Sequence, residues 1–182
     1  MRDLILFAST TVDGFMAGPD NDLGFVVPDG ELDETITGEL MPRGDTIIVG
    51  RKSFHDMAAY WPTQASPLAQ WMNDTPKVVL SRTAPDTSAW QNSTVAAGDG
   101  AAEVERLKRL PGGALVVFGG VQTVRSLVAA GLVDEFWLKV NPVAVGHGGP
   151  IFADLQQQRA LELVSARSFP SGTVALIYTA AK

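Results

Sequence analysis

The chain has 182 residues, of which 46% are hydrophobic and 19% are charged, so it can fill one domain core and is too apolar for a disordered protein. The formal net charge of −6 argues against a general nucleic-acid binder, which needs a basic surface. The absence of cysteine excludes disulfides, thiolate metal sites and a cysteine nucleophile. We therefore expect a single globular domain over residues 1–182.

The first apolar segment is Leu4-Ile5-Leu6-Phe7-Ala8. It is too short for a signal peptide and far shorter than the roughly 20 apolar residues of a membrane span. A chain without cysteine also suits a reducing compartment. We expect a cytoplasmic protein with no membrane partner.

The hydrophobic pattern predicts alternating strands and helices. The predicted elements are, in chain order, a strand over 4–8, a helix over 29–41, a strand over 46–49, a helix over 51–59, a strand over 77–81, a weak strand over 94–96, a helix over 101–110, a strand over 115–118, a helix over 121–130, a strand over 134–140 and a hairpin over 161–168 and 173–179. This order predicts an α/β fold, with a mainly parallel sheet, helices on both faces and a closing antiparallel hairpin. Ligands bind at the carboxyl ends of such strands, so the loops that begin at Ser9, Gly50, Ser81 and Gly119 should converge.

One candidate anion site is the turn Gly50-Arg51-Lys52-Ser53, where a helix begins directly after a strand. Backbone N–H groups, the positive end of the helix dipole and two cationic side chains would lie together there. Two cations at this helix end cost ~0.3 to 1 kcal/mol unless an anion is bound. The alternative is a glycine turn followed by two solvated basic residues. Ser81 and Arg82, after the next strand, could close the same pocket.

A second junction, Gly119-Gly120, also joins a strand to a helix. Glycines let the backbone approach a pyrophosphate closely, and Gln122 and Thr123 add side-chain hydrogen-bond donors. The alternative is a tight turn between strand and helix that binds no ligand. The G-x-G-x-x-G and P-loop fingerprints are both absent from the sequence. Two such junctions, one of them with Arg51 and Lys52, suit a dinucleotide that carries a 2′-phosphate, which favours NADP over NAD.

Six segments occur in a characteristic order. They are Ser9-x-x-x-Asp13-Gly14-Phe15-x-Ala17-Gly18, Gly50-Arg51-Lys52-Ser53-Phe54, Pro76-Lys77-Val78-Val79-Leu80-Ser81, Phe118-Gly119-Gly120, Ala130-Gly131-Leu132-Val133-Asp134-Glu135 and Asn141-Pro142-Val143-Ala144-Val145-Gly146-x-Gly148-x-Pro150-Ile151-Phe152. Together they resemble the dihydrofolate-reductase-like family, most closely the reductase domain of bacterial riboflavin biosynthesis and its stand-alone relatives. The resemblance covers nearly the whole chain and implies a three-layer fold and an NADPH-dependent reductase.

The resemblance also implies which residues contact the cofactor. Around the nicotinamide it places Ala8 and the loop from Val12 to Gly18, with Gly14 and Phe15; at the 2′-phosphate end it places Gly50, Arg51, Lys52, Ser53, Leu80, Ser81 and Arg82; at the pyrophosphate it places Phe118, Gly119, Gly120, Val121, Gln122, Thr123 and Val124. By analogy, the Gly119–Gly120 peptide could be cis.

The proton donor is sought on the first helix, because the resemblance implies that a carboxylate there meets the substrate. Relative to the stripe of Leu32, Ile36 and Leu40, Asp33 lies about 60° and Asp29 about 20° from the centre, whereas Glu31 and Glu34 are more than about 130° away. Asp29 is the expected N-cap, so Asp33 is the candidate catalytic and substrate-binding residue. The alternative for Asp33 is a solvated carboxylate at the edge of the helix.

Two further residues are candidates for the substrate side. Asp13 is a turn former, and only the resemblance gives it a substrate-binding role. Trp61 follows the second helix, where it could border the substrate. His55 and His147 are the only histidines and show no ligand pattern, so no metal site is expected.

The leading hypothesis is an NADPH-dependent reductase that acts on a conjugated C=N or C=O of a pterin, a pyrimidine or a related heterocycle or sugar-amine. Folate itself is disfavoured, because Gly38 stands where an aromatic residue would stack on the pterin. The alternative is a non-catalytic NADP(H)-binding sensor or assembly protein. The family and the apolar strand around Trp137 favour a homodimer.

Overall fold

The protein is built on a central β-sheet whose strands alternate with helices, and the computed structural model describes residues 1–181. The strands are β1 Leu4–Thr11, β2 Phe15–Ala17, β3 Gly44–Gly50, β4 Lys77–Ser81, β5 Ser93–Ala97, β6 Ala114–Phe118, β7 Glu135–Asn141, β8 Gly149–Pro150, β9 Leu161–Ser168 and β10 Val174–Ala180. The helices are α1 Gly30–Glu39, α2 Arg51–Tyr60, α3 Pro67–Asp74, α4 Gly100–Lys108 and α5 Val121–Ala129. Single 3-10 turns lie at Pro19–Asn21 and Trp61–Thr63.

The central sheet has eight strands in the order β5-β4-β3-β6-β1-β7-β10-β9. Every pairing from β5 to β7 is parallel. Strand β10 runs antiparallel to both β7 and β9, so the terminal hairpin closes one side of the sheet. The predicted α/β fold, with a mainly parallel sheet and an antiparallel C-terminal hairpin, is confirmed.

Helices cover both faces of the sheet and divide the core in two. On one face, α1, α2 and α3 contribute buried side chains that include Leu32, Phe54 and Met72. On the other face, α4 and α5 contribute Val104 and Leu127 among others. Because each large apolar side chain that is fully buried contributes about 1.5 to 3 kcal/mol, these two clusters hold the three layers together. No helix among residues 1–181 is both long and apolar enough to cross a bilayer.

Helix α3 was not predicted from the sequence, although its start carries two signals. The Ser66 hydroxyl accepts a hydrogen bond from the Ala69 N–H at 3.1 Å, and Pro67 occupies the first turn. The small β2–β8 sheet was also missed, because strands of three and two residues show no period of their own. Helix α1 ends at Glu39, two residues before the predicted end, because Leu40 to Gly44 form a turn that leads into β3.

Candidate functional site

The two glycine-containing junctions lie side by side at the carboxyl ends of β3 and β6, which are neighbours in the sheet. A β-carbon added at Gly50 would collide with the Thr123 hydroxyl, and one added at Gly120 would lie 3.0 Å from Ser53 Oγ. The start of α2 and the start of α5 are therefore in direct contact. Strands β4 and β1 flank this pair, so the loops after β1, β3, β4 and β6 leave the same edge of the sheet. The predicted start of the first loop at Ser9 is wrong, because β1 continues to Thr11.

The helices differ in how their first turns are capped. Helices α1, α3 and α4 are each capped by a side chain, from Asp29, Ser66 and Asp99 respectively. Helices α2 and α5 instead begin after Gly50 and Gly120, and within the described residues neither has a capping side chain or an acidic residue in its first turn. The N–H groups at these two ends lack the usual side-chain acceptor, and a bound anion could supply one.

The Gly119-Gly120 turn is made by two left-handed residues. Their φ angles are 72° and 84°, a region that glycine adopts without the penalty of a β-carbon. The peptide bond between them is trans, so the cis peptide suggested by analogy is wrong. The consecutive positive φ angles reverse the chain at this point, and the turn needs no cis bond.

The other predicted cofactor residues fall into three groups by exposure. Arg51, Lys52, Arg82 and Gln122 are exposed; Ser53, Leu80, Ser81, Val121 and Thr123 are half-buried; Ala8, Phe118 and Val124 are buried. The Val124 N–H donates to the Gly120 carbonyl at 2.9 Å, and the Val124 side chain lies in the core. Val124 therefore anchors the first turn of α5 to the core. The cofactor contacts of these residues stay predictions.

The loop after β1 is tied to a second loop by Asp13. Its carboxylate accepts hydrogen bonds from Thr11 Oγ1 at 2.6 Å, from the Val145 N–H at 3.1 Å and from the Gly146 N–H at 2.7 Å. The bonds from Thr11 and Gly146, in that order, hold the pKa of Asp13 below its ordinary value. Asp13 is therefore engaged in joining two loops, and its role in substrate binding stays a prediction.

The remaining residues of this loop surround Asp13. Gly14 has a φ of 86° and begins the turn into β2, which pairs with β8. Phe15 is half-buried, Gly18 is buried and Val12 is exposed at the tip. The predicted nicotinamide-covering loop is thus held at its base, through Asp13 and β8, by residues 145–150.

The two acidic residues Asp29 and Asp33, at the start of α1, have different surroundings: Asp29 is buried, whereas Asp33 is exposed, as in the alternative of a solvated carboxylate. Asp29 is the N-cap as predicted: it accepts from the Leu32 N–H at 3.0 Å and also from the Ser171 hydroxyl. Asp33, one turn later, lies near Lys139 of β7. Partial desolvation raises the pKa of Asp33, the positive charge of Lys139 opposes that rise, and the negative charge of Asp29 adds to it.

Sequence reasoning missed two polar residues of β7. Lys139 is buried and donates to the Val27 carbonyl at 2.6 Å, and the fully buried Asn141 accepts from the Val27 N–H at 2.9 Å. Together the two side chains bind the backbone carbonyl and the backbone N–H of Val27, just before α1. Their signal in the sequence is alternation: they are polar positions two apart that follow the apolar residues Phe136-Trp137-Leu138.

Trp61 and the histidines are less informative. Trp61 is half-buried beyond α2, packs against the core cluster on the α1–α3 face and accepts a hydrogen bond from Asn73 at its carbonyl. Its contact with substrate stays a prediction. His55 and His147 are exposed on α2 and on the loop before β8.

A family model described as the RibD C-terminal domain matches residues 2–175. The chain belongs to this family. Among curated relatives, the uncharacterized protein YyaP of Bacillus subtilis (strain 168) is 33% identical over 97% of this chain and 94% of its own length. The uncharacterized protein YwjB of the same strain is 25% identical over 92% of each chain.

Solved structures of RibD-related proteins share the fold. A protein assigned to riboflavin biosynthesis from Shewanella sp. PV-4 matches with a TM-score of 0.79 and 18% identity, over 100% of both chains. A pyrimidine reductase-like protein from Corynebacterium diphtheriae matches with a TM-score of 0.70 and 16% identity, over 100% of this chain and 92% of that one. A diaminohydroxyphosphoribosylaminopyrimidine deaminase/5-amino-6-(5-phosphoribosylamino)uracil reductase from Thermotoga maritima matches with a TM-score of 0.70 and 12% identity, over 99% of this chain and 57% of that one.

Proposed function

We propose that the protein is an NADPH-dependent reductase, and the observation that carries this proposal is the pair of adjoining helix ends that begin after Gly50 and Gly120. The two ends lie side by side at neighbouring strand ends, and neither has a capping side chain among the described residues. A dinucleotide carries several phosphate groups and can occupy two such ends at once. RibD C-terminal domain membership and the reductase-like names of the structural relatives support the same proposal.

The two helix ends fit different phosphates. The Gly119-Gly120 turn has no side chains, so the backbone at the start of α5 can approach a pyrophosphate closely. The start of α2 carries Arg51 and Lys52, both exposed, and Arg82 leaves the adjacent strand β4. Cationic side chains bind a terminal phosphate with charge-assisted hydrogen bonds, which is the reason for preferring NADPH to NADH.

The substrate would lie between the first loop and α1. When bound, NADPH supplies a hydride; the protein must hold an acceptor carbon and provide a proton. Asp33 is the proposed proton donor: although the residue is exposed on α1, partial desolvation raises the pKa of its carboxyl above the ordinary value. The names of the structural relatives suggest a pyrimidine or a related heterocycle that carries a C=N or C=O bond.

The cofactor proposal is tested by titrating the full chain with NADPH and with NADH while following nicotinamide fluorescence. We expect NADPH to bind at least about tenfold more tightly than NADH, and Arg51→Ala to remove most of this difference, because one charge-assisted contact contributes roughly 1.5 to 3 kcal/mol. Arg109→Ala is the matched control. It removes an exposed arginine that follows α4 and pairs with Glu105 of that helix, and it should bind NADPH as tightly as the wild type does. Binding of neither nucleotide would refute the proposal. NADPH binding without oxidation by any C=N or C=O heterocycle would favour a non-catalytic NADP(H)-binding protein.

We also propose that the protein forms a homodimer through the outer strand β9. The apolar strand around Trp137, which suggested a dimer in the sequence, is β7; it lies inside the sheet with Phe136 and Trp137 buried, so it cannot form the interface. Strand β9 is the last in the sheet order and exposes Leu163 and Val164 by 58% and 61%. An exposed apolar edge strand is a site for pairing with another chain. Light scattering of Leu163→Lys should show a monomer if the wild type is a dimer, whereas Leu23→Lys, at an equally exposed leucine in another region, should not change the mass. A dimer that survives Leu163→Lys would refute this interface.

A further inference from the structure

Almost all the positive charges of the protein are engaged within the fold. The chain has 14 lysines and arginines, and of these only Lys182 lies outside the described residues. Seven of the others pair with a carboxylate; they are Arg2, Arg43, Arg106, Lys108, Arg109, Arg125 and Arg167. Three more, Lys77, Lys139 and Arg159, donate to backbone carbonyls. The cations that remain without either kind of partner among residues 1–181 are Arg51, Lys52 and Arg82.

These three cations lie at one end of the proposed cofactor site. Arg51 and Lys52 begin α2, and Arg82 directly follows β4, the neighbour of β3. The proposed function assigns them to the terminal phosphate of NADPH. Arg2 and Arg43 precede β1 and β3, so they lie at the opposite edge of the sheet and do not reach a ligand at the carboxyl ends of the strands.

Two of the engaged cations lie on the substrate side, along a groove between α1 and the antiparallel strands. Lys139 lines this groove, but it is only 5% exposed and donates to the Val27 carbonyl at 2.6 Å. Arg167 lines it as well and pairs with Glu39, in the last turn of α1, at 2.8 Å. A phosphate in this groove would have to replace one of these two contacts.

The start of α1 is also unsuited to an anion. Its N–H groups are capped by the Asp29 carboxylate, and Glu31 and Asp33 lie in its first turn. By contrast, the first turns of α2 and α5 contain no acidic residue. A helix start attracts anions through free N–H groups, and like charges brought together oppose binding. The α1 side of the cleft therefore disfavours a second phosphate.

The surface that α1 leaves uncovered is aromatic. Phe7 lies in the middle of β1, between β6 and β7, yet it is half-buried, whereas Ile5 and Leu6 beside it are fully buried. Its ring packs against Phe118, the residue before the Gly119-Gly120 turn, with the ring centroids 5.5 Å apart. The layer of helices thus leaves a gap over Phe7, next to the proposed cofactor site. Such a surface suits apolar contact with a ring.

We propose that the substrate of this reductase is a heterocycle without a phosphate group, bound beside Phe7 by apolar contact and not by ion pairs. This inference rests on the proposed function, which assigns Arg51, Lys52 and Arg82 to the cofactor, and it narrows the class of substrate. The name of the Thermotoga maritima relative specifies a phosphoribosyl compound. The substrate proposed for this chain differs from that compound in lacking the phosphate.

The inference is tested by an amide NMR titration of the full chain with ribose 5-phosphate at about pH 8, where the phosphate is a dianion and histidine carries little charge. Without nucleotide, we expect shift changes at Arg51, Lys52 and Arg82, and none at Phe7 or Lys139. Saturating NADPH should abolish the first set and create no other. Arg51→Ala should weaken the changes on α2 by about tenfold, the effect of one charge-assisted contact, whereas the control Arg109→Ala should not.

The outcomes separate this inference from the cofactor proposal. Saturable changes at Phe7, Asp33 or Lys139 in the NADPH-saturated protein would reveal a second phosphate site and overturn the inference. The absence of changes on α2 in the protein without nucleotide would instead count against the assignment of its cations to the cofactor.

A matched pair of compounds gives a second measurement. The pair is 5-amino-6-(5-phosphoribosylamino)uracil and the same compound without its phosphate, each titrated into NADPH-saturated protein. We expect the form without phosphate to bind at least as tightly, because the phosphate finds no free cation on the α1 side and meets Asp29 and Glu31. A phosphorylated form that binds about tenfold more tightly, the gain from one charge-assisted contact, would overturn the inference. If neither compound binds, the ribose 5-phosphate titration decides, since it requires no particular ring.

Discussion

Gly50 and Thr123 lie so close together that the Thr123 hydroxyl occupies the space where a β-carbon of residue 50 would be. One residue ends β3 and the other lies in the first turn of α5. Glycine at position 50 therefore lets the starts of α2 and α5 meet side by side. The φ of Gly50 is −79°, so it is the lack of a side chain, and not an unusual backbone conformation, that the site needs here.

Gly50→Ala tests this contact. The added methyl group should force α2 and α5 apart, and overpacking of this kind costs roughly 1 to 3 kcal/mol. We expect NADPH affinity to fall by about tenfold or more, which corresponds to ~1.4 kcal/mol. The measurement is the fluorescence titration described above, with thermal unfolding to show that the variant is folded.

Gly38→Ala is the matched control. A β-carbon at this position, in the last turn of α1, would meet no atom within 4 Å. The substitution should stabilise the protein by about 0.5 to 1 kcal/mol, because alanine is the better helix former, and it should leave NADPH affinity unchanged. A folded Gly50→Ala that binds NADPH as tightly as Gly38→Ala would contradict the proposed contact between the two helix ends.

Asp13 gives a prediction about pH. The pKa of Asp13 in the folded protein lies below its ordinary value, so its hydrogen bonds stabilise the two loops at neutral pH. This stabilisation is lost as the pH falls from the pKa of Asp13 in the unfolded chain to the lower pKa in the folded protein. We expect faster amide exchange at Val145 and Gly146 in Asp13→Ala at neutral pH, and a smaller difference from wild type below about pH 3. Asp20→Asn, at an exposed carboxylate in the following turn, is the control. Unchanged exchange at both amides in Asp13→Ala would show that the carboxylate does not hold this loop.

Lys77 gives a prediction about stability. It is fully buried, and its ammonium donates to the carbonyls of Met72, Asn73 and Thr75 at 2.7, 2.9 and 2.7 Å, which closes the end of α3. Lys77→Met would leave the Met72 and Thr75 carbonyls without a donor, while the Asn73 carbonyl would keep the side-chain amide of Asn92 at 3.3 Å. We therefore expect a loss of roughly 2 kcal/mol in the free energy of unfolding. Urea denaturation measures this loss. The same substitution at exposed Lys52 should change stability by less than about 0.5 kcal/mol, and equal effects at both positions would argue against the capping role.

The sequence was informative wherever one short segment carries the whole signal. The run Ile47-Ile48-Val49 before Gly50 predicted a buried strand that leads into a helix, and Asp29 predicted the cap of α1. The mainly parallel sheet then followed from general rules for α/β folds, whereas the order of its strands was not predicted. These local signals were enough to identify the two glycine junctions before any contact between them was known.

Contacts between distant segments could not be predicted in the same way. Lys139 and Val27 are 112 positions apart, and their hydrogen bond exists only because β7 lies beside β1 and the segment before α1 crosses the end of β7. The partners of Asp13 at residues 145 and 146 depend in the same way on the pairing of β2 with β8. A polar residue in an apolar strand indicates that a buried hydrogen bond exists, but the sequence does not show which residue is its partner.

The most direct test of the cofactor site is an amide NMR titration of the full chain with NADPH. We expect the largest chemical-shift changes at the N–H groups of Gly50, Arg51 and Ser53 and of Gly119 to Thr123, with NADH giving smaller changes at Arg51 and Lys52. Changes confined to the groove between α1 and β10, or no changes at the two helix ends at saturating NADPH, would contradict the proposed cofactor site.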